Sequence, residues 1–253
     1  MSEELRVLVL GPVEVERAGE LLSIGGRRAR SILAALVISL RHAVSDDRLI
    51  EAVWGDEPPE SARASVQSHI SRLRGVLGHD VVQRHDHSYV LEIDPGQVDA
   101  CVFERTFGQA AEIFPSDPAE TLQLCRRALE VWRGPPFGDL GEADFALPEA
   151  VRLEELRVDA TELFLEATIA VEGPGMAVPA LRAAVTDNPY REKMWYLLIR
   201  GLSLEGRRVE ALRSFEEARR TLADLGLEPT VDLRELEQQI YLEDEAVRPH
   251  LAG

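Results

Sequence analysis

Lysine is almost missing from this chain of 253 residues: Lys193 is the only one, and the other basic residues are arginine. A phosphate-binding loop of the GxxxxGK[ST] kind needs a Lys directly after a Gly, and Lys193 follows Glu192. A Schiff-base enzyme would have this single candidate, which sits beside Trp195 and Tyr196 in a helical segment and reads as a solvated helix residue. Cysteine is scarce too. Cys101 and Cys125 stand alone, without a CxxC partner or neighbouring ligands, so neither a metal site nor a redox pair is expected, and no cofactor. No apolar run approaches the roughly 18 residues of a membrane span, and the acidic start MSEELRVLVL is not a signal peptide. A cytoplasmic protein without a membrane partner is expected.

Positive charge is also in deficit. Arg and Lys total 28 against 45 Asp and Glu, a formal charge of −17. Taken whole, this opposes nucleic-acid binding, because phosphate contacts need a positive surface. The distribution changes the argument. Residues 1–96 carry eleven Arg against fifteen acids, net −4, and residues 97–253 carry net −13. Glu3, Glu4, Glu14, Glu16 and Glu20 fall in the leading strands, and the stretch 61–84 is net +3 before its histidines are counted.

Apolar residues make up 45% of the chain, enough for real cores. Residues 5–24 read as short antiparallel strands, broken by Gly11-Pro12 and turned at Ala18-Gly19. From 27 to 41 the period changes: Ile32, Leu33, Leu36, Val37 and Leu40 recur at helical spacing. A second helix follows, with Ser45 as N-cap, Asp46 and Asp47 at its positive end, and Gly55 with Pro58-Pro59 stopping it. A third helix spans Ser61–Leu77, and VVQRHDHSYVLEI reads as a hairpin. Two helices joined by a short loop and followed by a hairpin are the order of a winged helix-turn-helix.

On the third helix Val66, Ile70, Leu73 and Leu77 share one face. The opposite face carries Ser61, Ala64, Ser65, Ser68, Ser71, Arg72 and Gly75, flanked by Arg63, Gln67 and Arg74. Such a thin, arginine-flanked surface suits a major groove, where short hydroxyls and Gln reach base edges and Arg reaches guanine or phosphate. On its own it is also what a solvated amphipathic helix looks like. The hairpin adds Arg84 and His85 near its tip, where a wing can meet the minor groove or phosphate.

Beyond Val98 the chain reads as almost wholly helical. Trp195, Leu198, Gly206, Ala211, Phe215 and Ala218 fit the tetratricopeptide spacing, in which small residues let paired helices approach and the aromatic fills the groove between them. Thr121, Cys125 and Ala128 echo it, as do Ala180, Ala184 and Asn188-Pro189. The expectation is a mainly α protein with a small β component. A winged-helix domain covers 1–96 and a tetratricopeptide-like helical domain covers 97–253, joined near Pro95-Gly96-Gln97.

The segments LVLGPVEV, RRAR before the Leu-rich helix, DRLIEAVWGDEPPESARASVQSHISRLRGVLG and SYVL resemble an OmpR-type DNA-binding domain. With FERTFGQA, LCRRALEVWRGPPFGDL, RLEELRVDATE and GLEPTVDLRELEQQI, the chain resembles the Streptomyces antibiotic regulatory protein (SARP) family from Leu5 to about Glu243. That family joins an OmpR-type winged helix to a bacterial transcriptional activation domain. The resemblance implies an activator of secondary-metabolite (antibiotic) biosynthesis genes. It would bind promoter direct repeats as a head-to-tail homodimer and recruit RNA polymerase through sigma factor and core subunits.

By position, the resemblance makes Ser61–Leu77 the recognition helix. Arg63, Ser65, Gln67, Ser68, Ser71, Arg72 and Arg74 would face double-stranded DNA, with His69 near phosphate. Arg84 and His85 would act from the wing, and Arg28 and Arg30 on the backbone. Trp54, Gly55, Asp56, Glu57 and Glu60 would contact polymerase or a neighbour. One departure is the wing tip His85-Asp86-His87-Ser88 in place of a Pro/Gly-rich turn, since Asp86 repels phosphate. The chain resembles either a small stand-alone member or a piece of a larger one.

Two other readings stand beside this one. A protein–protein adaptor would use the helical repeats to hold a partner and the winged helix to dock. An enzyme would need a site, and adjacent pairs such as Glu154-Glu155 and Glu216-Glu217 point apart on their helices.

Overall fold

The computed structural model describes residues 5–247. It falls into two compact units: residues up to 109 together with 126–159, and residues 110–125 together with 160 onward. Glu3 and Glu4, read above with the leading strands, lie outside the described residues.

The first unit opens with an antiparallel sheet of β1 (Leu5–Leu8), β2 (Glu14–Arg17) and β3 (Glu20–Leu22), in that order. Ala18 and Gly19 both take positive φ, 52° and 85°, which suits a two-residue hairpin turn between twisted strands. Helix α1 (Arg27–Ile38) follows and buries Ile32, Leu33 and Leu36 completely; it ends before Leu40, three residues short of the expected span.

A second sheet joins β4 (Val44–Ser45), β6 (Ser88–Leu91) and β5 (Val82–His85), in the order β4-β6-β5. Between them stand α2 (Asp46–Trp54) and α3 (Ala62–Leu77). Ser45 has two duties. Its backbone pairs with Ser88, and its hydroxyl accepts from the N–H of Arg48 at 3.2 Å as an N-cap. The sequence showed the second duty and hid the first, because a two-residue strand has no periodicity to read.

The first sheet is completed by residues far along the chain. The carboxylate of Asp99 accepts from the N–H groups of Val9 (2.8 Å) and Leu10 (3.0 Å). Leu10 C=O accepts from Arg133 N–H and Val9 C=O from Phe137 N–H, each at 2.7 Å. The Arg133 side chain donates to Glu14 and to Pro12 C=O. Gly138, at φ 55°, lies so close to Pro12 that a Cβ there would sit 2.9 Å from its Cα. No other residue fits that approach. The segment Arg133–Leu140 thus continues the backbone pairing beyond β1 and closes over fully buried Val9 and Leu10.

The helices after the second sheet are α4 (Asp99–Ile113), α5 (Pro118–Glu130), α6 (Leu147–Val171), α7 (Pro174–Asp187), α8 (Glu192–Leu204), α9 (Arg208–Ala223) and α10 (Val231–Val247). In the second unit, α8 and α9 form the helical hairpin that the sequence spacing indicates. Trp195, Leu198, Ala211, Phe215 and Ala218 are all buried, and Gly206 makes the turn at φ 71°. Trp195 Nε1 donates to Pro189 C=O at 2.8 Å, so the ring can be buried without stranding its N–H. Arg182 on α7 and Arg207 both donate to Glu210 on α9 at 2.7 Å. One expected position is shifted. Ala180 faces solvent, and α7 instead buries Ala177, Leu181 and Ala184, the same 4-and-3 spacing begun three residues earlier. The architecture is an N-terminal winged helix followed by a helical domain.

Candidate nucleic-acid interface

The candidate surface is built on α3. Val66, Ile70, Leu73 and Leu77 are at most 3% exposed and fix which side of the helix looks inward. Burying each contributes about 1.5–3 kcal/mol, enough to hold the rotation of the helix. The outward side then presents Arg63, Ala64, Gln67, Ser68, Ser71, Arg72 and Gly75, all exposed, with Ser65, His69 and Arg74 half-buried at its edges.

The arginines differ in what already holds them. Arg74 Nε donates to Val82 C=O at 2.7 Å, and its guanidinium lies 6.0 Å from the Tyr89 ring. It therefore braces the wing against α3. Arg84 shares the same ring at 5.7 Å and donates to Asp86 C=O at 3.1 Å, across a turn in which Asp86 takes φ 50°. Arg63 is paired with Asp47 (2.8 Å) and with buried Asp46 (3.5 Å). Arg30 and Arg27 both reach Asp139, at 3.3 and 3.5 Å. Arg28 lies 5.4 Å over the Trp54 ring. Arg72 makes no ion pair among the described residues and packs along Gly25, 3.4 Å from where a Cβ would begin.

These placements sort the sequence-derived residues. Gln67, Ser68, Ser71 and Arg72 form an exposed strip on one helix face, and Arg72 makes no ion pair among the described residues. His85 stands exposed beside it on the wing. Arg30, Arg63 and Arg74 each already hold a protein partner. Trp54 is half-buried beneath Arg28, whereas Gly55, Asp56, Glu57 and Glu60 are exposed in the turn before α3.

His69 is half-buried on the shoulder of α3. Burial first, then the charges of Arg72 and Arg28, push its pKa below the ordinary 6.5. The shift favours the neutral ring, so His69 adds little positive charge to the free surface. Two supporting residues were missed. Arg17 on β2 donates to Val76 C=O at 2.8 Å and caps the end of α3. Asp46, 2% exposed, accepts from Arg63 and lies 4.0 Å from His87 Nδ1 at the wing turn. Neither role has a local sequence signal, because each partner lies tens of residues away.

A winged helix with an exposed polar face on its third helix, followed by a helical domain, is the architecture of a bacterial transcriptional regulator. Residues 24–91 match the family "Transcriptional regulatory protein, C terminal", and residues 98–241 match "Bacterial transcriptional activator domain". The chain belongs to the SARP family of OmpR-type winged helices joined to that activator domain.

It is 32% identical to the transcriptional regulator RedD of Streptomyces coelicolor, over 96% of this chain and 72% of RedD. It is 36% identical to the regulatory protein AfsR of the same organism, over 97% of this chain but 25% of AfsR. The chain therefore spans a quarter of AfsR's length. Among solved structures it is similar to EmbR of Mycobacterium tuberculosis in complex with a low-affinity phosphopeptide. The TM-score is 0.91 at 32% identity, covering 95% of this chain and 66% of that one. These are families of regulators, not of enzymes.

Proposed function

We propose that this chain is a sequence-specific, DNA-binding transcriptional activator that acts in the cytoplasm. It binds direct repeats in promoters as a head-to-tail homodimer and recruits RNA polymerase to secondary-metabolite (antibiotic) biosynthesis genes. The observation that carries the reading is the open strip Gln67, Ser68, Ser71 and Arg72 on the solvent face of α3, beside the wing that carries Arg84 and His85. Short hydroxyls keep this face thin enough to lie deep in a major groove. Arg72 and Gln67 are the two side chains long enough to read base edges. Arg28, Ser65 and His69 flank the strip. Arg63, Arg74 and Arg30 join the contact set through whatever donor capacity their protein partners leave. In this reading residues 1–96 read DNA, residues 97–253 carry the activator function, and the exposed turn Gly55–Glu60 with Trp54 meets the polymerase.

The test is footprinting on promoters flanking the chain's own gene, followed by a salt titration of the protected site. A pair of protected direct repeats and a steep fall of affinity with salt are expected. Arg72→Ala should cost about 1–3 kcal/mol of binding. Absence of binding at low salt would sink the reading.

A further inference from the structure

The register of the second sheet sets an acid of α2 against the wing. β4 and β6 pair Ser45 with Ser88, so the next residues on the antiparallel ladder, Asp46 and His87, stand opposite each other. The Asp46 N–H donates to His87 C=O at 2.8 Å. Asp46 is 2% exposed, so its carboxylate has to find partners inside the fold. It finds them poorly. Oδ1 has no hydrogen-bond partner among the described residues. Oδ2 faces two donors: Arg63 Nη1, on the first turn of α3, at 3.5 Å, and His87 Nδ1, on the wing turn, at 4.0 Å. A buried carboxylate held this loosely costs stability until a donor closes in.

We propose that Asp46 is a positioning residue that couples α3 to the wing: its one carboxylate serves both Arg63 and His87, and what Arg63 releases His87 takes up. Arg63 has somewhere else to go. Its Nη2 already donates to exposed Asp47 at 2.8 Å, and in the DNA reading, on which this step rests, a phosphate draws it outward. The nearest donor then left to the buried carboxylate is the His87 ring. A histidine gains a proton within the physiological pH range, and both ring nitrogens then donate. Nδ1 has to move only about 1 Å to reach a charge-assisted hydrogen bond. The wing turn is then tied to α2 by a side chain as well as by backbone.

The other charged groups around His87 do not replace Asp46. Asp47 is exposed and paired with Arg63. On the wing itself, Arg84 is engaged with Asp86 C=O at 3.1 Å and with the Tyr89 ring, while His85 and Asp86 are exposed. Asp46 is the acid that burial deprives of water, so it is the one that needs the ring. The consequence is cooperative: the wing is fastened as α3 engages, and a proton enters with the DNA.

The first experiment contains no DNA. Amide exchange of the full chain, expressed as protection factors, is followed in β5 and β6 at pH 6 and pH 8. In the Arg63→Ala chain at pH 6, His87→Gln should lower that protection about threefold or more. With Arg63 present the same substitution should do clearly less, and at pH 8 it should do nothing in either chain. Asp46→Asn should abolish the His87 effect, whereas Asp47→Asn should leave it. Circular dichroism checks folding, and if Asp46→Asn fails to fold, the comparison of pH 6 with pH 8 in the Arg63→Ala chain decides. An equal His87 effect with and without Arg63, or one that persists at pH 8 or with Asn at position 46, overturns the coupling. The second experiment measures promoter affinity between pH 8 and pH 6. Wild type should gain about threefold more than His87→Gln, and an equal gain would overturn the cooperative step. Absence of DNA binding at low salt would strike the DNA reading alone, and the exchange comparison would still decide the coupling.

Discussion

At the scale of single residues, two titrating groups report on environment. His69 is held neutral by burial and by the nearby Arg72 and Arg28. Placing a DNA phosphate beside it would oppose those cations and raise its pKa. An NMR titration should therefore show His69 protonating below pH 6.5 in the free chain and at higher pH on promoter DNA; an unmoved midpoint would remove His69 from the interface. The stability consequence follows from the lowered folded value. The unfolded chain takes up the proton first, so this residue's contribution is complete above pH 6.5 and declines as pH falls through the unfolded and then the folded value. Cys125 behaves differently: burial pushes its thiol up to about 11. At pH 8 it is almost entirely protonated, so Ellman's reagent should react with native chain far more slowly than with unfolded chain. Rapid native labelling at Cys125 would contradict its burial.

At the scale of elements, helices were legible and their long-range fastenings were not. The faces of α3, α8 and α9 could be read because a helical period repeats within ten residues and burial enforces it. Within the candidate site, the exposed strip Gln67, Ser68, Ser71 and Arg72 came from the same arithmetic. The grip on Arg63 by Asp46 and Asp47, and on Arg74 by Val82 C=O, did not, because such pairs depend on how loops close. The shift from Ala180 to Ala177 arose because alanine is small enough to sit on either face of α7. Asp99 is the strongest fastening. Burial raises its pKa, against the N–H groups of Val9 and Leu10 and the charge of Arg133, which lower it. Asp99→Ala would strand the buried N–H groups of Val9 and Leu10, each worth about 1–3 kcal/mol, so urea unfolding should show a loss of roughly 2–6 kcal/mol. Arg74→Ala should release the wing, seen as faster amide exchange in β5 and β6 while α8 and α9 stay protected.

At the scale of the whole molecule, the charge of −17 is unevenly distributed along the chain. The stretch 61–84 is net +3, and the acidity lies mainly beyond residue 97. Neutralising acids of α9, as in Glu216→Gln/Glu217→Gln, should raise affinity for unrelated DNA more than for the promoter repeat. Competition with sonicated DNA measures this, and an equal rise for both would show that the distant charge does not govern selectivity.

The hydrogen bonds from Arg133 and Phe137 to Leu10 and Val9 bear on how such regulators can be recombined. A DNA-reading head exchanged between two members by a single cut near residue 97 would leave behind the residues that finish its first sheet. A graft of this head therefore has to carry Asp99 and the Arg133–Leu140 segment with it. Two crossovers are needed where the linear order suggests one, and spare heads cannot be passed along a lineage as freely as beads on a string.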